Sequence, residues 1–85
     1  MASVTITQVQ LLTGITNNSP SSLYWNTNTE KEMSIDPLSI VAVGYVFDTF
    51  QKNYIPGIVQ IFFSGIMAPI YSSNSYESIV AYMNP

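Results

Sequence analysis

The chain has 85 residues with 2 Lys+Arg, 5 Asp+Glu, no His and no Cys, giving a net charge of −3. That length allows one domain, spanning 1–85, and a lone domain of this size buries only about 60% of its unfolded surface. Without Cys or His there is no disulfide framework, no thiolate zinc site and no histidine base, so most familiar enzyme classes are excluded.

Charged residues make up 8% of the chain and hydrophobic residues 47%; an average soluble domain carries about 25% charge. Six Tyr, four Phe, four Met and one Trp complete a composition that is polar but nearly uncharged. A free monomer uses charge for solubility, whereas interface cores lose charge and gain aromatics and Met. The balance therefore predicts a surface occupied by neighbours. Two lysines cannot form a basic stripe, which excludes nucleic acid and anionic lipid as electrostatic partners.

From the N-terminus, Val4 and Ile6 alternate with Thr5 and Thr7 as in a strand. The apolar phase then flips to Val9 and Leu11, which predicts a bulge or break near Thr7–Gln8. Gly14 opens a polar stretch, and 13–22, with Asn17-Asn18-Ser19-Pro20, reads as a flexible arm. Leu23-Tyr24-Trp25 forms a short strand, 26–32 a polar loop, and Met33–Ile35 another short strand stopped by Asp36-Pro37.

Ile40–Phe47 reads IVAVGYVF, apolar at successive positions. Such a run is a central strand buried on both sides, or a strand covered by a partner. Pro56-Gly57 signals a turn before the strand Ile58–Ser64, and Ile66–Tyr71 forms its hairpin partner, with Pro69 favouring an edge position. The uncharged stretch 54–71 has the length of a membrane span, but Pro56, Gly57, Gly65 and Pro69 cut it into strand-sized pieces. In the tail, Ser75 is an N-cap, Glu77 lies in the first turn, and Tyr76, Ile79, Val80 and Met83 share one helical face ending at Asn84, the alternative being a last strand through the β-branched Ile79-Val80. The expected fold is mainly β: a small meander or barrel of about five strands with one short C-terminal helix.

No metal, cofactor or catalytic constellation emerges. Glu30, Glu32, Asp36, Asp48 and Glu77 form no calcium-loop pattern, and Gly14, Gly44, Gly57 and Gly65 are too dispersed for a phosphate loop. Neither Lys31 nor Lys52 sits in the apolar context that would activate a serine. The aromatics remain: Tyr24, Trp25, Tyr71, Tyr76 and Tyr82 are the candidate interface anchors. If Trp25 is such an anchor, Trp25→Ala weakens association and spares the fold.

In size, in composition, in the strands VTITQVQLL, IVAVGYVF and IVQIFFSG, and in the polar segment TNNSPSS, the chain resembles small structural proteins of tailed-bacteriophage virions. These are the capsid decoration (cement) proteins and minor head or tail components. The resemblance implies a non-enzymatic protein present in many copies on the virion, assembled in the host cytoplasm. It would bind the major capsid or another virion protein, or its own copies, and stabilise the particle by buried area. The alternative expectation is a small glycan- or peptide-binding module with an aromatic site.

Overall fold

The computed structural model describes residues 3–84. The described chain is mainly β, with a five-stranded sheet, a two-stranded sheet and one short C-terminal helix. The strands in chain order are β1 (Val4–Val9), β2 (Leu12–Thr16), β3 (Ser19–Tyr24), β4 (Lys31–Ile35), β5 (Ile40–Asp48), β6 (Asn53–Phe63) and β7 (Ile70–Ser72), followed by α1 (Tyr76–Met83). The large sheet has the order β4-β1-β7-β6-β5 with every neighbouring pair antiparallel. It is open, not a closed barrel, so β4 and β5 are its two edges.

Residues directly opposite in an antiparallel pair share a face, and the register therefore sorts the core into two. Val4, Ile6, Met33, Ile35, Val43, Val59, Ile61 and Ile70 project to one face. There α1 covers them with Tyr76, Ile79, Tyr82 and Met83. On the opposite face Val9, Val46, Ile55 and Ile58 form a second cluster, closed by Leu11, Leu23, Trp25 and Tyr71. Ile58 and Val59 are consequently both buried, one in each core.

The apolar phase flip in β1 has its cause here. Pairing with β4 is regular from Val4 to Gln8, so no bulge lies at Thr7–Gln8. Ile6 serves the first core and Val9 the second, and the strand breaks only at Gln10–Leu11.

The stretch 13–22, expected as a flexible arm, is a β-hairpin of β2 and β3. Asn17 (φ 53°) and Asn18 (φ 62°) form its two-residue turn, the left-handed pair that matches the twist of a hairpin and that Asn tolerates. Its five- and six-residue strands reach about 17–20 Å, and the molecule is accordingly elongated, 49 × 23 × 23 Å.

Pro56-Gly57, expected as a turn, lies inside the eleven-residue β6. Between Tyr45↔Val59 and Phe47↔Tyr54, β6 carries extra residues and bulges out of the ladder. Proline brings no N–H to that bulge, and Gly57 has φ +86°. The displaced Pro56 carbonyl accepts a hydrogen bond from Trp25 Nε1–H at 3.0 Å. A Cβ on Gly57 would lie 2.9 Å from Trp25 Cζ2, so the indole lies directly against the glycine backbone.

One further element differs in place. β7 is three residues long and lies between β1 and β6, with Pro69 just outside it rather than on an edge. Buried Ser72 donates from Oγ to Asn74 Oδ1 at 2.8 Å, and the same oxygen accepts from Thr7 N at 2.7 Å. Asn74 thus continues the β1 ladder beyond β7 and hands the chain to α1. The helix begins as expected, with Ser75 Oγ accepting from Ser78 N at 3.2 Å and Glu77 in the first turn.

The Trp25 contact generates a stability prediction. Trp25→Ala removes half-buried indole together with its hydrogen bond to the Pro56 carbonyl, at an expected cost of about 2–4 kcal/mol. Gly57→Ala meets the same ring in an unfavourable backbone region, at about 1–3 kcal/mol. Urea unfolding of both variants measures these losses. An unchanged midpoint for Trp25→Ala would contradict the contact.

Candidate functional site

The buried carboxylate is engaged in structure. Asp48 is buried at the end of β5. Its Oδ1 accepts from Phe50 N (2.9 Å) and Gln51 N (3.1 Å), and its Oδ2 accepts from Leu23 N (3.0 Å). One carboxylate therefore shapes the β5–β6 turn and pins the hairpin base to the main sheet. Gln51 adds a second tie, Nε2 donating to Ser21 O at 2.7 Å. Burial pushes the Asp48 carboxyl up, but the N–H donors of Leu23, Gln51 and Phe50 outweigh it and hold the group below its ordinary value. Among the described residues no three His, Cys, Asp or Glu side chains cluster to hold a metal, and no buried side-chain polar atom lacks a partner. No helix among them is long and apolar enough to cross a membrane; the uncharged stretch 54–71 falls in β6, the connection 64–69 and β7.

The five sequence-selected aromatics do not converge. Tyr71 packs into the second core from the interior strand β7, and Tyr82 packs against the first core from α1. Trp25 is half-buried and committed to Pro56 and Gly57. Tyr24 is 44% exposed and, with Trp25 and Tyr54, lines a concavity of about 280 Å³ beside the hairpin base. Tyr76 stacks on Tyr45, ring centroids 4.9 Å apart and planes 15° from parallel.

That stack leads to the surface which sequence reasoning missed. Tyr45 meets Tyr54 edge-on at 6.3 Å, and Tyr54 meets Phe47 edge-on at 5.1 Å. Tyr76, Tyr45, Tyr54 and Phe47 form one continuous aromatic belt along the β5 edge. Tyr54 is 64% exposed, Val41 62%, Tyr45 53% and Phe47 43%. Strand β5 is thus not a central strand buried on both sides, since it forms an edge and leaves these side chains in solvent. The signal was the unbroken apolar run itself. Gly44 lies in the middle of this strand, and a Cβ built there meets nothing within 4 Å.

The two edges differ sharply. β4 is five residues long and exposes Lys31 and Glu32, the charges with which natural edges resist pairing. β5 is nine residues long, and its one charge, Asp48, is buried at its end.

Comparison with protein-family models, with curated proteins and with solved structures finds no match.

The Asp48 geometry sets a pH dependence. Because the folded carboxyl titrates below its unfolded value, near pH ~3.9, its stabilisation is complete above that value and disappears as pH falls through the lowered one. Exchange protection of the Leu23 amide is expected to hold from pH 7 to about 4 and to collapse below that. Asp48→Ala should expose this amide already at pH 7. Protection insensitive to both changes would show that Asp48 does not pin the hairpin.

Proposed function

We propose that the protein is a non-catalytic structural component that works in multiple copies through protein–protein contacts, as a capsid decoration or minor virion protein does. The observation that carries this reading is the exposed aromatic belt Tyr45–Tyr54–Phe47 on the uncharged β5 edge. Contiguous exposed apolar surface on a small protein marks an interaction site, and large aromatics supply most of the binding energy where such surfaces are buried. The few charges support the same reading, because solubility here rests on Ser, Thr, Asn and Gln and on apolar surface being covered. Catalysis finds no support: the one buried carboxylate is saturated by backbone donors, and the other acids stand apart on the surface.

In this role the main sheet is the rigid platform, the aromatic belt the adhesive surface, and the projecting β2–β3 hairpin a second point of contact with a neighbouring subunit. Exposed Ile15 near the hairpin tip would dock there.

An antibody against the chain, applied to density-gradient fractions from the producing culture, tests the reading. The chain is expected to co-migrate with particles at many copies per particle, and Tyr54→Ser is expected to reduce that occupancy at least tenfold while leaving the circular dichroism spectrum unchanged. A chain found only in the soluble fractions would overturn it.

A further inference from the structure

We infer that the β5 edge is a self-pairing edge: two copies of this chain join β5 to β5 antiparallel about a two-fold axis at Gly44, extending the five-stranded sheet into a continuous ten-stranded one. The inference names what covers the β5 edge and rests on the interaction reading proposed above.

Three observations select a second copy. The first is the register. With Gly44 on the axis, Val43 stands opposite the partner's Tyr45 within the regular segment of the strand. Exposed Tyr45 thereby gains an apolar cross-strand neighbour, the pairing that stabilises sheets, and the exposed Val41 and Phe47 of the two copies come to the same ends of the seam. The backbone is also unobstructed at the axis, because Gly44 and its neighbour Ala42 carry almost no side chain.

The second is charge. Asp36 stands four residues before β5 and Lys52 four residues after it, both exposed. Antiparallel pairing brings the start of one β5 to the end of the other, so each copy's Asp36 end meets its partner's Lys52 end. A parallel pairing would set like ends together. Between these ends the strip from Pro37 to Phe47 is uncharged, so two chains of net charge −3 can approach there without direct repulsion.

The third is closure. Pairing β5 to β4 of the next copy would be head-to-tail and would grow into a filament. Lys31 and Glu32 guard β4, so only one edge of the main sheet is open, and pairing through it stops at two. The bulge at Val41 and the β6 bulge beyond Tyr45 bound the regular segment Ala42–Tyr45 and limit slippage of the register.

The chain has no cysteine, which permits a direct test. Gly44→Cys adds a side chain where space is open, and the two-fold places both sulfurs across one cross-strand pair, within the range of about 4.4–6.8 Å that a disulfide bridges. Mild oxidation should convert this variant to covalent dimer, whereas Ser34→Cys on β4 should remain monomeric under the same conditions. Light scattering over a tenfold concentration series should show wild type approaching twice 9.4 kDa, and Gly44→Arg remaining at that mass. Lys52→Glu, which sets an acid against the partner's Asp36, should weaken the dimer by about two- to fivefold. Equal cross-linking of the two cysteine variants, or a wild-type monomer throughout, would overturn the self-pairing. A chain that rides on particles yet is monomeric alone would refute the pairing and leave the interaction reading standing; a dimer that never meets a particle would do the reverse.

Discussion

The architecture depends on how one buried carboxylate is satisfied. Asp48 ends β5, and its two oxygens take up backbone N–H groups of the following turn and of Leu23 in the hairpin strand β3. A buried charge without such partners would be strongly destabilising. Meeting that demand fixes where the hairpin leaves the sheet. It also brings Trp25, two residues beyond Leu23, over the β6 bulge, where the indole N–H takes the carbonyl that Pro56-Gly57 displaces. Two polar contacts across long sequence separations thus close the second core, which would otherwise be an open apolar patch of Val9, Val46, Ile55 and Ile58.

The same arrangement determines which aromatics are free. Trp25, Tyr71 and Tyr82 are consumed in holding the fold, while Tyr54 stays exposed between Tyr45 and Phe47. A small domain has little apolar material to spare. That this one leaves several large side chains in solvent along a single uncharged edge, while the opposite edge is short and charged, is the asymmetry on which the functional account rests.

Much of this was legible in the sequence. The β class, the terminal helix with Ser75 as its cap, and the stop at Asp36-Pro37 follow from local chemistry, and the structure has them all. The hairpin was not legible as such. Thr-Gly-Ile-Thr and Ser-Pro-Ser-Ser lack an apolar face, and Asn17-Asn18 signals a loop as readily as a two-residue turn until the φ angles are known. Phase in β1 misled because alternation assumes one core, and this sheet has a core on each face. Pro56-Gly57 misled because a bulge and a turn use the same residues. The edge position of β5 depends on strand order, which periodicity does not encode; for that reason Tyr45, Phe47 and Tyr54 escaped selection while the interior Tyr71 did not.

The central claim is that the β5 edge is covered by a second copy of this chain in the working state of the protein. Amide hydrogen exchange read by mass spectrometry on peptides spanning Ile40–Asp48, at micromolar and at near-millimolar concentration, addresses it most directly. The account predicts that β5 amides slow markedly at high concentration while those of the β4 edge, Lys31–Ile35, do not change. Equal exchange of β5 at both concentrations, or slowing shared by both edges, would contradict it.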